Sequence, residues 1–258
     1  MISAPEKMIK KIKILCGTSQ SIYSSSIKVI QETILPVKVN GRLLANIACA
    51  GTHLEELAAG FLKSEKIIRQ KEDIAKIEVK KKSINITLKD TRAIATACVK
   101  NIASSGSRGK TNLELLKPLE IPTGFRIQTG LVLRLMEELL SGSAIHNQTG
   151  GTHCSALVIG KKIVALREDI GRHNTIDMLG GYALLNKMKL NRAVILTTGR
   201  ISSEIVYKVW NMGAPVIISH SAPTANAVRL TQKANITLVG YVRKGEMNIY
   251  SQERRIII

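Results

Sequence analysis

The chain has 258 residues, 45% of them hydrophobic, enough to bury the core of one large or two modest domains. Its 38 Lys and Arg against 19 Asp and Glu give a net charge of +19, which points to an anionic partner (nucleic acid, a membrane surface or a polyphosphate ligand) or reflects solubility and a basic proteome. Aromatics make up only 3%, too few for the stacking platforms of single-strand recognition, and no apolar run reaches the roughly 20 residues of a membrane helix.

In chain order, residues 1–20 read as a loosely ordered basic arm without a signal-peptide core. Segments 34–39 and 43–49 are strands joined through Asn40-Gly41, a hairpin dipeptide. A helix follows over 51–68, with Thr52 and Glu55 spaced as a capping box and Leu54, Leu57, Ala58, Phe61 and Leu62 on one face. Residues 76–89 alternate in polarity around Lys81-Lys82 and form a second hairpin. Helices are expected at 112–118 and 130–140, then a hairpin from 156–160 and 162–166 and a helix over 174–187. Strands at 193–198, 214–219, 236–242 and 248–251 alternate with helices at 203–212 and 223–234, the last with Pro223 in its first turn. Such alternation implies a sheet covered on both faces. The expected fold class is therefore α/β: an arm (1–20), a smaller α+β domain (21–118) and a three-layer α/β domain (119–258).

Several stretches could carry chemistry. Thr198, Gly199 and Arg200 sit where a strand ends and a helix begins, with Ser202 or Ser203 placed to cap it; free amides and a dipole's positive end favour an anion there. A plain strand–helix turn is the competing reading. His153 and Cys154 are adjacent on a strand, so they point to opposite faces and cannot share a ligand. LREDIGRHN, 166–174, is either a site or a charged surface turn capped at Asp169 or Asn174. Tyr241 to Tyr250 reads as a hairpin with a basic turn at Arg243, Lys244 and Gly245. The stretch 104–111 ends Gly109-Lys110-Thr111 like a phosphate loop, but Ser104 stands where the first glycine belongs. The four cysteines, Cys16, Cys49, Cys98 and Cys154, form no C-x-x-C pair; Cys98 shares its segment with Lys100, Arg108 and Lys110, cations of the kind that lower a thiol's pKa.

Taken together, VNGRLLANIACAGTHLEELAAGFLKSEKII, TGGTHCSALV, REDIGRHNTIDMLGG, TTGRISSEIVYKVWNMGAPV and SAPTANAVRLTQKANITLVGYVR resemble the formate dehydrogenase accessory protein (FdhD) family from about residue 30 to 251. The resemblance implies a cytoplasmic, homodimeric sulfurtransferase whose larger domain is cytidine-deaminase-like. It implies persulfide sulfur taken from a cysteine desulfurase and passed to a molybdenum or tungsten bis(molybdopterin guanine dinucleotide) cofactor for formate dehydrogenase. The alternative is a cofactor-binding chaperone that transfers no sulfur. No zinc deaminase chemistry is implied, because the P-C-x-x-C half of that signature is missing. Nucleic acid and membrane are not among the implied partners.

Carried over by motif, the cofactor contact falls on Tyr241, Val242, Arg243, Lys244, Gly245 and Glu246, with Thr198, Gly199 and Arg200 as neighbours. The family's C-G-x-C-G-K is not intact here. Aligning on Gly109-Lys110 puts Ser105 and Arg108 at the cysteine positions; aligning on Arg92, Thr96 and Cys98 makes Cys98 the persulfide carrier and Asn101 the lost second cysteine. The second alignment is preferred, since one thiolate is chemically sufficient.

Overall fold

A computed structural model describes residues 8–80, 83–90, 100–102 and 116–258. Cys98 and the phosphate-loop-like stretch 104–111 lie outside the described residues.

The chain opens with a two-stranded antiparallel ribbon, β1 (Ile9–Gly17) against β2 (Ile22–Ile30), rather than the loose arm expected from the lysines. Strand alternation of isoleucine with lysine was hidden there by the doublet Lys10-Lys11. Next come β3 (Thr33–Val39) and β4 (Arg42–Cys49), joined through Asn40 and Gly41 at φ +46° and +81°, the paired left-handed values of a type I′ turn. The α1 helix (Leu54–Ser64) follows. Its N-cap is His53, in the left-handed region and without a side-chain cap bond, so the Thr52–Glu55 capping box does not form. The second hairpin, β5 (Ile74–Lys80) with β6 (Ser83–Leu88), is as expected. With β7 (Lys100–Ile102) these strands make a five-stranded sheet in the order β5-β6-β3-β4-β7. The buried face of α1, Leu57, Ala58, Phe61 and Leu62, closes its core against Val37, Ile47, Ile84 and Ile86.

In the expected helix at 112–118, residues 116–118 are not helical, and the remainder lies outside the described residues. The short β8 (Ile127–Gln128) leads into α2 (Thr129–Gly142) and the six-residue α3 (Ala144–Thr149). Then follow β9 (His153–Ile159), β10 (Lys162–Asp169), α4 (Arg172–Leu185), β11 (Ala193–Thr197), α5 (Ser203–Met212), β12 (Val216–Ser219), α6 (Ala225–Lys233), β13 (Thr237–Arg243) and β14 (Glu246–Ser251). The short β15 (Ile256–Ile257) pairs back with β8. Pro223 stands before the α6 N-cap Thr224, whose hydroxyl accepts from the Ala227 amide; the proline is therefore outside the first turn.

These strands form a six-stranded sheet, β10-β9-β11-β12-β13-β14, whose centre β11-β12-β13 is parallel. One face carries α4, α5 and α6 over Leu157, Ile195, Ile217 and Leu238. The other face carries α2 over Ala156, Val158, Leu196 and Ile218. The larger unit is thus a mixed α/β layer structure behind a smaller β-rich N-terminal region. Two helices join them. A Cβ on Gly60 would sit 1.8 Å from the Asp177 carbonyl oxygen, and one on Gly181 1.8 Å from that of Glu56, so α1 and α4 touch backbone to backbone. This explains why α4 shows no polar face: it lies between α1 and the sheet and is buried nearly all round.

Candidate functional site

The parallel strands β11, β12 and β13 end at one edge of the sheet, where loops leave for α5, α6 and the β13–β14 turn. Open α/β sheets place ligands at such strand ends, because helix N-termini and loop amides converge there. β11 is apolar up to Thr197 and fully buried, so the chain turns polar only at the edge.

Hydrogen bonds fix the loop after β11. Thr198 donates its amide to the Cys154 carbonyl at 2.9 Å, while the Cys154 amide donates to Thr198 Oγ1 at 3.0 Å. The Gly199 amide donates to Thr197 Oγ1 at 3.1 Å, and the Gly199 carbonyl accepts from Ser219 Oγ at 2.8 Å. Glycine is needed at 199, since a Cβ would lie 2.9 Å from Cβ of Arg172. Arg200 is exposed, and Ser202 is the α5 N-cap without a side-chain cap bond, so the expected serine cap is present in position only.

The Ser219–Ser221 loop links this segment to the second one. Ser221 accepts the Tyr241 amide at 3.2 Å, and Gly240 packs against Ser221 and Pro223. Tyr241 adopts φ +52°, and Lys244 and Gly245 make the turn at +52° and +78°. The Arg243 guanidinium lies 4.7 Å from the Tyr241 ring centre, and Lys244 and Glu246 face solvent. Val242 is 1% exposed in the α2-side core, so its side chain anchors the turn rather than lining a site. The two segments singled out from sequence therefore share one edge of the sheet, bridged by a single loop.

Beneath them lies the end of REDIGRHN, which the sequence leaves open between a site and a charged turn. Among the described residues, four buried side-chain polar atoms have no hydrogen-bond partner: Thr152 Oγ1, Arg172 Nε, His173 Nδ1 and Ser202 Oγ. They sit at the start of β9 and the N-termini of α4 and α5. His173 is 3% exposed, and its Nε2 lies 3.6 Å from a Glu204 carboxylate oxygen. Burial first, then Lys208, Arg172 and His153, push its pKa down to about 3, which keeps it neutral. Burial and Arg200 lower Arg172, and burial raises Glu204. His153 is lowered by burial, Arg172, His146 and Arg200; His220 by burial, Arg243 and His146. Four of the five histidines thus gather at this edge with Arg172, Arg200 and Arg243. They come from segments spread between positions 146 and 243 with no shared spacing; the sequence marks Arg172, His173, Arg200 and Arg243 in separate stretches and gives no signal that joins them.

The rest of REDIGRHN is structural. Arg167 makes a bidentate pair with Glu56 at 2.5 and 2.8 Å. Glu168 accepts the Ile145 and His146 amides at 3.1 and 2.7 Å. Asp169 accepts the Ala50 amide at 2.7 Å, the Gly171 amide at 2.9 Å and Asn174 Nδ2 at 2.6 Å, and Asn174 Nδ2 also donates to the Ala48 carbonyl at 2.8 Å. This segment ties β4 of the N-terminal region to the foot of α4 and is no surface turn. His153 and Cys154 do face opposite ways: His153 toward Arg172, Cys154 into the α2-side core. Burial pushes the Cys49 and Cys154 thiols up to about 12. Among the described residues no three His, Cys, Asp or Glu side chains are placed to hold a metal ion.

The mixed α/β fold brings a cluster of histidines and arginines to the strand-end edge of its larger sheet. The FdhD/NarQ family matches residues 30–257. Sulfur carrier proteins FdhD are similar along most of their length: that of Listeria innocua at 35% identity over 93% of this chain and 94% of the relative. That of Staphylococcus haemolyticus is 35% identical over 88% and 89%. That of Bacillus subtilis is 31% identical over 89% and 90%. The crystal structure described as a formate dehydrogenase accessory protein from Desulfotalea psychrophila shares the fold, with a TM-score of 0.80 at 24% identity, covering 97% of this chain and all of that one. The chain belongs to the FdhD/NarQ family.

Proposed function

We propose that this chain is a sulfur carrier for formate dehydrogenase maturation, holding a molybdenum or tungsten bis(molybdopterin guanine dinucleotide) cofactor as substrate. The observation that carries the reading is the set of unpaired buried atoms on Arg172, His173 and Ser202 beside Arg200 at the strand ends. Pyrophosphate oxygens satisfy such donors, and two helix N-termini add their dipoles. Thr198, Gly199 and Arg200 form one wall, and Tyr241 through Glu246, with Arg243 on the Tyr241 ring, form the other.

Cys98 is the proposed persulfide carrier. Its thiolate attacks the terminal sulfur of a cysteine desulfurase persulfide, forming a Cys98 persulfide and releasing the donor's thiolate. Two of the described thiols support this choice, since the buried Cys49 and Cys154, at about 12, stay protonated and unreactive. The client is formate dehydrogenase, the compartment the cytoplasm, and the working form a homodimer. Behind the β1–β2 ribbon, the chain up to residue 118 is its smaller domain and residues 119–258 its cytidine-deaminase-like domain.

Incubation with a desulfurase and cysteine, followed by mass spectrometry of the alkylated chain, is expected to place a sulfur of +32 Da (about, from its atomic mass) on Cys98. Sulfur on Cys154, or on no cysteine, would overturn the assignment. The departure from C-G-x-C-G-K supports the second reading, a cofactor-holding chaperone. A Cys98→Ala chain that still fully activates formate dehydrogenase would decide for it.

A further inference from the structure

The β1–β2 ribbon has two chemically different faces. Cross-strand partners share a face, and the register pairs Ile12 with Ile27, Cys16 with Tyr23 and Lys11 with Lys28. One face therefore carries Ile12, Ile14, Cys16, Tyr23, Ile27 and Val29, with Lys10 and Ser25 among them. The other carries Lys11, Lys13 and Lys28 with serines between them, Ile9 and Ile30 at its foot and Leu15 and Ile22 at its tip. Among the described residues the foot of the ribbon is packed: Ile30 joins Met8, Ala50 and Ile145 in a small core, and Lys28 Nζ donates to Gln148 Oε1 at 2.9 Å. Beyond it Ile12, Ile14 and Val29 are half-buried, Tyr23 is 53% and Ile27 41% exposed, and Leu15 and Ile22 on the lysine face are open to solvent. Among the described residues β1 pairs with β2 alone, so its outer edge presents free amides and carbonyls. A two-stranded ribbon is marginal in water by itself, and one apolar face left open adds to that cost.

The charges indicate what covers it. Residues 8–30 contain four lysines and no acid, and Lys11 stands directly opposite Lys28, a repulsive pairing. The same ribbon of a second copy would set four more lysines and no acid against these, so a dimer of this chain forms through another surface. We propose that the ribbon docks an extended segment of a partner protein in which apolar residues alternate with acidic ones, added as a third strand along β1. Period-two alternation puts the partner's apolar side chains on the Ile12–Ile14 face and its carboxylates beside Lys11 and Lys13. The new strand satisfies the β1 edge, extends the apolar face and neutralises the lysine row. The ribbon, about 30 Å long from its strand rise, sets the segment at roughly nine residues.

The probe is a fluorescein-labelled peptide of roughly ten residues alternating Val or Ile with Glu, titrated with the full chain and read by fluorescence anisotropy. Saturable binding is expected, weakened about tenfold by Lys11→Glu with Lys13→Glu and transferred in that variant to a peptide carrying Lys in place of Glu. Ile14→Asp is expected to abolish binding of both peptides. Unchanged thermal midpoints confirm that each variant keeps its body folded. No binding to the native chain, or equal binding to all three chains, would overturn the proposal. So would a dimer in sedimentation that Ile14→Asp converts to monomer, which would place a second copy on this face. Anionic vesicles that pull down the native chain but not the lysine variant would overturn it too, in favour of a lipid surface.

Discussion

His173 concentrates the physics of the site at one residue. Its imidazole is neutral in the folded chain, with a pKa near 3 against 6.5 in an open chain. A lowered folded pKa means that its contribution to stability is complete above about 6.5 and is lost as pH falls toward 3. The loss runs at about 1.4 kcal/mol per pH unit at most. Asp169 opposes it: burial raises its pKa from 3.8 to about 6, so its contribution is complete below about 3.8 and is lost as pH rises through 6. The two slopes offset each other in the native chain between pH 4 and 6. Urea unfolding at pH 7 and pH 5 separates them: relative to the native chain, His173→Gln is expected to gain stability on going to pH 5, by about 2 kcal/mol. At Gly199, alanine would press its methyl on Arg172. Guanosine diphosphate, a probe for the nucleotide end of the proposed substrate, is expected to bind Gly199→Ala about tenfold more weakly by calorimetry, and the overlap with Arg172 is expected to lower stability by about 1 kcal/mol or more.

At the scale of elements, α1 and α4 decide how the two parts of the chain meet. Their closest approach is at Gly60 and Gly181, where no side chain fits. Beside this contact Lys208 pairs with both Asp177 oxygens at 2.6 Å, and Ser64 Oγ donates to the same carboxylate at 2.6 Å. Gly181→Ala must push the helices apart and lose packing on both sides. It is expected to cost about 3 kcal/mol or more, read as a fall in the urea midpoint. Asn174→Ala removes the bonds to Ala48 and Asp169 and leaves a buried carbonyl unpaired, for about 2 kcal/mol by the same measurement. Element type was largely legible in the sequence, because alternation and helical periodicity follow directly from which face is buried. Element ends were less so. Thr52 has the composition of a cap, yet His53 takes that position, and the capping geometry depends on where the chain arrives from β4. The β1–β2 ribbon was missed because its burial is partial on both strands.

At the scale of the whole molecule, the +19 charge reinforces the strand-end edge as the proposed place for an anionic ligand. Affinity for guanosine diphosphate is expected to fall several-fold between low and physiological salt, since exposed cations such as Arg200 are screened over about 8 Å at 0.15 M ionic strength. A salt-independent affinity would place binding away from this edge. Among the described residues no helix is long and apolar enough to cross a membrane.

By itself the sequence determined the α/β alternation, the hairpin at Asn40-Gly41, the basic character and the family resemblance. These depend on local periodicity, on residues that tolerate φ above zero and on simple charge count. It also marked Thr198–Arg200 and the turn at Arg243–Gly245 as candidates, because strand-to-helix and strand-to-strand junctions announce themselves in glycine and charge. Only the tertiary structure brought those two segments to one edge through Ser219–Ser221. Only it turned most of REDIGRHN from a charged turn into a buried tie between β4 and α4, and left Arg172, His173 and Ser202 with unpaired atoms. Whether a polar atom finds a partner depends on strands and helices far apart in the chain, and no spacing along the sequence encodes that.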